Sequence, residues 1–247
     1  HRLFKLKELE QYTAADVIGV QSPANLDYFN NKELANRYHL EVLYNWTNTS
    51  NNHCFKSTNY RKKWKLEGKT VLFYGGNIGI AQDMDNIIRL AENLKDEPNG
   101  YIVLVGEGSE VTRLHALIRE KNLPNIAIYP AVDQQTYLSM LAEFDVGLIS
   151  LDSKLRTQNF PGKLLGYMQF NLPTLASINP GNDLKELLEK HEAGLVQLNG
   201  QDQQFADNAR KLIHNAELRC TLGANGRKLL EQTFSVVHAS QQILAAV

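Results

Sequence analysis

From Lys69 onward the chain alternates short apolar runs with longer amphipathic ones, and that alternation leaves few folds open. The runs around Val71-Leu72-Phe73-Tyr74, Tyr101 to Val105, Asn125 to Tyr129, Asp145 to Ser150 and Pro173 to Ser177 read as strands. Helices are expected at Met84 to Leu94, Glu110 to Lys121, Gln134 to Phe144, Lys163 to Phe170, Asp183 to His191, Gln201 to Asn215 and Ala216 to Thr233. Strands separated by helical crossovers build an α/β, doubly wound parallel sheet of Rossmann-like form. Upstream, Arg2 to Tyr12 and Ala24 to Tyr38 read as helices, the second opened by Ser22-Pro23. Asp16 to Ser22 and Glu41 to Asn45 read as extended, His53 to Leu66 as a basic helix, and Val236 to Ala246 as a last helix.

Composition removes several function classes. The 247 residues are 43 % hydrophobic and 21 % charged, which suits an ordinary packed core. Net charge is −1, from 26 basic and 27 acidic residues, without the basic excess of a nucleic-acid binder. Cys54 and Cys220 fit no zinc or disulfide framework, and free thiols suit a reducing cytosol. No apolar run approaches the ~20 residues of a membrane span. The expected location is cytoplasmic, with peripheral contact at the inner membrane face as an option. Arg61-Lys62-Lys63-Trp64-Lys65 raises that option: it reads either as a solvated helix face or as a contact for anionic headgroups.

The chemistry concentrates in Phe160-Pro161-Gly162-Lys163-Leu164-Leu165-Gly166-Tyr167-Met168. Pro161 suits a first helical position, where a missing N–H costs nothing. Leu164, Leu165 and Met168 repeat as one packed helix face does, and Asn171 can take the left-handed conformation that ends a helix. The amides of Gly162, Lys163 and Leu164, with the Lys163 ammonium, would then face one crevice and favour an anion, typically phosphate. An ordinary helix start with a solvated lysine is the alternative. The preceding strand and the loop Leu151 to Asn159 place this start where open α/β sheets bind ligands. Gly75, Gly76 and Gly79 mark another strand-to-helix turn that permits close approach of a ligand. Their Gly-Gly-Asn-Ile-Gly spacing is not the dinucleotide fingerprint, which argues against a dehydrogenase.

Five landmarks in order carry a resemblance. They are Val71 to Gly79, Tyr101 to Gly108 with its Gly-acid-Gly turn, Asn125 to Pro130, Asp145 to Ser150 with Pro161 to Ser177, and Glu192 to Val196. Together, Val71 to Phe234 resembles the C-terminal, donor-binding domain of family 4 glycosyltransferases with the GT-B fold, of the bacterial surface-polysaccharide type. The resemblance implies residues 1–50 as the tail of an N-terminal acceptor domain with its linker. It implies 51–235 as the nucleotide-sugar domain and 236–247 as a returning helix, all within a longer enzyme. The implied reaction moves a sugar from a nucleoside diphosphate, most naturally UDP, to a glycan or lipid-linked glycan, by a retaining route with no protein nucleophile, no metal and no cofactor.

Site roles follow from the same likeness. Lys163, with Arg156 or Lys154, would neutralise the diphosphate, because the family's arginine and lysine fall on Asn77 and Gln82. Gly75, Gly76, Asn77, Glu107, Phe160, Pro161, Gly162 and Leu164 would line the donor site, and Val132 would read the base edge through its backbone. The family's two acids, at the sugar and at the ribose, fall on Gln158 and Gly166. Gln158 keeps a hydrogen bond for the sugar; Gly166 keeps no side chain. Two other readings stay open: a UDP-sugar 2-epimerase on the same fold, for which no acid/base pair is evident, and a non-catalytic nucleotide-sugar-binding module, which the absent acids motivate.

Overall fold

In the computed structural model, which describes residues 2–32, 34–50, 59–158 and 160–246, the alternation becomes one six-stranded parallel sheet. Before it come α1 (Arg2–Ala14), β1 (Ile18–Val20), α2 (Leu26–Asn30), β2 (Leu40–Val42) and α3 (Tyr60–Lys63). Strand and helix then alternate: β3 (Thr70–Gly75), α4 (Met84–Asn93), β4 (Gly100–Val105), α5 (Val111–Glu120), β5 (Ile126–Tyr129) and α6 (Gln134–Glu143). The second half runs β6 (Val146–Ser150), α7 (Lys163–Gln169), β7 (Thr174–Ile178), α8 (Leu184–Lys190) and β8 (Gly194–Leu198). The helices α9 (Asp202–His214), α10 (Ala216–Thr233) and α11 (Val236–Ala246) complete the chain. The strand order is β5-β4-β3-β6-β7-β8. It reverses between β3 and β6, so the loops leaving those two strands part and open a crevice at their carboxyl ends.

The doubly wound sheet expected from the alternation is therefore the architecture found. Successive strand side chains point to opposite faces. Val71 and Phe73 join Leu141, Leu164, Met168 and Leu230 on one side, while Leu72 and Tyr74 join Ile87, Leu114, Phe205 and Leu212 on the other. Both faces are covered, which is why the strands read as unbroken apolar runs.

Tyr167 secures the switch point. β3 and β6 pair only at Leu72↔Val146 and Phe73↔Gly147. The fully buried Tyr167 hydroxyl lies 3.2 Å from the Phe73 carbonyl and 3.0 Å from that of Leu148, so its one hydrogen serves both strands. Burial pushes the phenol pKa well up and keeps it a donor. Gly147 leaves room for the ring, which would stand 2.3 Å from a Cβ there. Tyr167→Phe should leave a buried carbonyl unpaired and cost about 1–2 kcal/mol. A urea midpoint that falls at unchanged slope would show this; an unmoved midpoint would make the hydroxyl dispensable.

Asn171 does end α7, at φ +56°. Its N–H donates to the Met168 carbonyl and that of Leu172 to Tyr167, the paired bonds of a Schellman stop. Upstream, the expected helix Ala24 to Tyr38 is broken. Only Leu26–Asn30 is α-helical, flanked by 3₁₀ turns at Pro23–Asn25 and Ala35–Arg37. Asparagines at 25, 30 and 31 favour turns, and the Leu34 N–H bonds back to the Phe29 carbonyl at 2.9 Å. Phe29, Leu34 and Val20 then share a small core beside the parallel pair β1–β2. Of the expected helix His53 to Leu66, Tyr60–Lys63 is helical; residues 53–58, with Cys54, lie outside the described residues. Within the basic cluster Arg61 turns inward, bonding the Asp145 carboxylate (2.6 Å) and the carbonyls of Glu143 and Lys69. Trp64 stacks on Tyr129 at 3.7 Å, so Lys62, Lys63 and Lys65 form the exposed part.

Candidate functional site

Where β3 and β6 part, a cleft of about 680 Å³ opens. Its walls come from four segments far apart in sequence: Gly75, Gly76 and Asn77 at the end of β3, Val105, Gly106 and Glu107 at the end of β4, Ala131 and Val132 after β5, and Gly162 with Lys163 at the start of α7. Tyr137 and Gln134 of α6 close one side.

Two glycine loops meet on the cleft floor. The Gly76 N–H donates to the Val105 carbonyl (2.9 Å), and the Gly106 N–H to that of Tyr129 (3.1 Å). A Cβ at Gly106 would fall 1.8 Å from the Gly76 carbonyl oxygen, so only glycine allows this approach. Gly76 itself has φ +131°, a region side chains avoid. Asn77 and Gln82, where the family likeness places cations, bond each other instead. The Asn77 amide donates to Gln82 Oε1 at 3.0 Å, the Gly79 N–H reaches the same oxygen at 3.2 Å, and the Tyr74 hydroxyl donates to the Asn77 carbonyl at 2.5 Å. The clasp that they form is neutral.

Lys163 supplies the positive charge in the lining. Its ammonium sits 3.2 Å from the Tyr74 ring centroid, a cation–π contact. It also lies 3.5 Å from where a Gly76 Cβ would be, so the missing side chain leaves the loop backbone and the cation face to face. The residue as a whole is half-buried, and it lines the cleft with its ammonium over the Tyr74 ring. Desolvation there pulls its pKa well below the ordinary lysine value. Among the described residues no carboxylate pairs with it. A buried ammonium without a counter-ion is costly, and an anionic ligand relieves that cost.

The structure separates the other residues singled out in the sequence. Leu164 is buried in the core, and its N–H donates to the Pro161 carbonyl at 2.9 Å, so its amide is not open to the cleft as expected. The helix start turns tightly enough to close that bond within its own chain. Phe160 stacks on Tyr44 at 5.7 Å and Phe234 packs against both, so its ring joins the core where the upstream segment crosses. Pro161 lies outside the lining. Gln158 is held in its loop: its Oε1 accepts from Asn179 Nδ2 at 3.0 Å and its carbonyl from Ser22 Oγ at 3.0 Å. Buried Asn179 also donates to the carbonyls of Leu155 and Thr157, clamping the loop on which exposed Arg156 stands. Gly75, Gly76, Asn77, Glu107, Val132, Gly162 and Lys163 share the cleft.

Tyr137 was not legible as a site residue. With Met140, Leu141 and Phe144 it reads as the buried stripe of a helix. Only the fold reveals the glycines at 75 and 166 beside its ring. A separate apolar groove between β1, β2 and α11 includes no cation among the described residues of its lining. Among the described residues no three His, Cys, Asp or Glu side chains cluster as metal ligands, and no helix is long and apolar enough to cross a membrane.

Known proteins agree with this architecture. A family model described as "Glycosyl transferases group 1" matches residues 56–229. A relative from Escherichia coli (strain K12), named for colanic acid biosynthesis as glycosyl transferase WcaI, is 25 % identical over 123 residues, covering 50 % of this chain and 30 % of the relative. A glycosyltransferase from Pseudomonas aeruginosa, WbjE, is 24 % identical over 186 residues, covering 75 % and 45 %. The chain thus spans less than half the length of these curated relatives. Anabaena Alr3699/HepE, solved in complex with UDP, superposes with a TM-score of 0.77 at 19 % identity over 94 % of this chain and 63 % of that one. At that identity the likeness is one of fold.

Proposed function

The chain belongs to the glycosyl transferases group 1 family, and on that premise we propose that it is the donor-binding half of a retaining, family 4 type enzyme. The donor is a UDP-sugar, and the acceptor is a glycan or lipid-linked glycan of a surface polysaccharide, met at the cytoplasmic side. One observation carries the reading: a desolvated lysine ammonium, with no carboxylate partner among the described residues, faces a glycine loop at the switch point of a parallel sheet. A diphosphate is the anion that suits such a place. Lys163 holds it and stabilises the charge that develops on the leaving diphosphate, an electrostatic contribution that needs no nucleophile from the protein. The Val132 loop stands across the cleft, where main-chain groups can meet a base edge. Gln158 and Arg156 approach a donor only if the loop clamped by Asn179 shifts toward the cleft.

Calorimetry of UDP binding against pH tests this. Lys163 binds an anion in its protonated form, and its pKa in the unliganded protein lies below the ordinary value. The terminal phosphate, with a second pKa of about 6, is essentially fully ionised above about pH 8. Affinity should therefore fall as pH rises through the lowered Lys163 pKa, until the ordinary lysine range. Over the same window the unfolded chain binds the proton that the folded, unliganded chain does not, so the unliganded protein gains stability as pH rises. Affinity that is flat or rising with pH across the alkaline range would remove Lys163 from the anion site.

A further inference from the structure

Tyr137 presents the cleft with a phenol hydroxyl that has no hydrogen-bond partner among the described residues. Its ring is placed by two absences. A Cβ at Gly75 would stand 2.3 Å from Tyr137 Cε2, and one at Gly166 would stand 3.7 Å from the hydroxyl oxygen and 3.2 Å from Leu141 Cδ1. Phe73 supports the ring from the sheet side, centroid to centroid 5.8 Å. The site is thus shaped to hold a phenol, yet the protein does not use its polar end. Burial also raises its pKa, so the group stays a neutral hydroxyl that both donates and accepts. That chemistry suits an alcohol rather than a second phosphate.

The direction in which a ligand extends follows from α7. Residues 163 and 166 lie three apart and share a helix face. A nucleoside diphosphate with its phosphates on Lys163 and its nucleoside toward the Val132 loop carries its ribose past Gly166 and Tyr137. We infer that the Tyr137 hydroxyl bonds the 2′- or 3′-hydroxyl of the donor ribose, taking up a contact for which Gly166 has no side chain. The inference rests on the cleft being the donor site.

Calorimetry of the wild-type chain and Tyr137→Phe, with UDP and with 2′,3′-dideoxy-UDP, tests it. Phenylalanine keeps the ring and its packing, so the melting temperature should hold or rise. UDP affinity should drop about 5- to 10-fold, the effect of one hydrogen bond, while dideoxy-UDP binds both proteins alike. Equal weakening for both ligands would indicate a structural role and overturn the inference, as would an unchanged UDP affinity in Tyr137→Phe. A wild-type chain that binds no nucleoside diphosphate would overturn the donor-site reading along with it.

Discussion

Lys163→Met should weaken UDP binding roughly 10- to 150-fold, the effect of a charge-assisted contact of about 1.5–3 kcal/mol, while the melting temperature holds or rises. The two outcomes together are the diagnostic. In the free protein the ammonium is desolvated and has no carboxylate partner among the described residues; the Tyr74 ring compensates it only in part. Methionine keeps much of the stem's bulk and removes the buried charge, so the fold loses little. The ligand, by contrast, loses the one cation that the described residues bring to the cleft lining. The variant should also lose the pH dependence of UDP binding described above. A parallel fall in stability and affinity would instead make Lys163 a packing residue, and unchanged affinity would leave the cleft without its anion-binding group.

Gly106→Ala should cost about 3 kcal/mol, the upper end of overpacking effects, and abolish measurable UDP binding with it. The added methyl would sit 1.8 Å from the Gly76 carbonyl oxygen and 2.9 Å from its carbon, and backbone cannot step aside as a side chain can. The Gly76 loop would have to lift from β4, breaking its bond to the Val105 carbonyl and moving the surface that faces Lys163. Gly162→Ala, on the opposite wall of the same cleft, is the matched control for stability. Apart from its chain neighbours, no atom of the described residues lies within 4 Å of its added carbon, and its backbone is already helical at φ −57° and ψ −26°. It should be neutral, or stabilising by up to about 1 kcal/mol through the unfolded chain. Denaturation midpoints for the two variants, measured with UDP titrations, check both. A well-folded Gly106→Ala with normal affinity would mean the two loops do not form the floor of a site.

Much of the architecture is legible because burial leaves a local signature. Val71 to Tyr74 are apolar without interruption because both sheet faces are covered, and Met84, Ile87, Ile88 and Ala91 repeat as a helix packed on one side must. Asn171 announced its turn, since a left-handed residue that is not glycine is most often asparagine. Lys163 stood out as a cation beside a proline-led helix start. The helix expected over Ala24 to Tyr38 failed for the complementary reason. Its apolar residues are compatible with one long helix, and only the pull of Phe29 and Leu34 into a shared small core shows where it breaks.

The amino-acid pattern by itself determined the sheet, its crossovers and the position of one candidate cation, because these depend on neighbours within a few residues along the chain. Only the tertiary structure decided what faces what across the cleft. It set Gly106 against Gly76, turned Phe160 into the core beside Tyr44, tied Gln158 to Asn179, and brought Tyr137 between Gly75 and Gly166. Each of these pairs joins segments tens of residues apart through side-chain shape or its absence. Local periodicity records which face of an element is buried, and it carries no record of the partner that buries it.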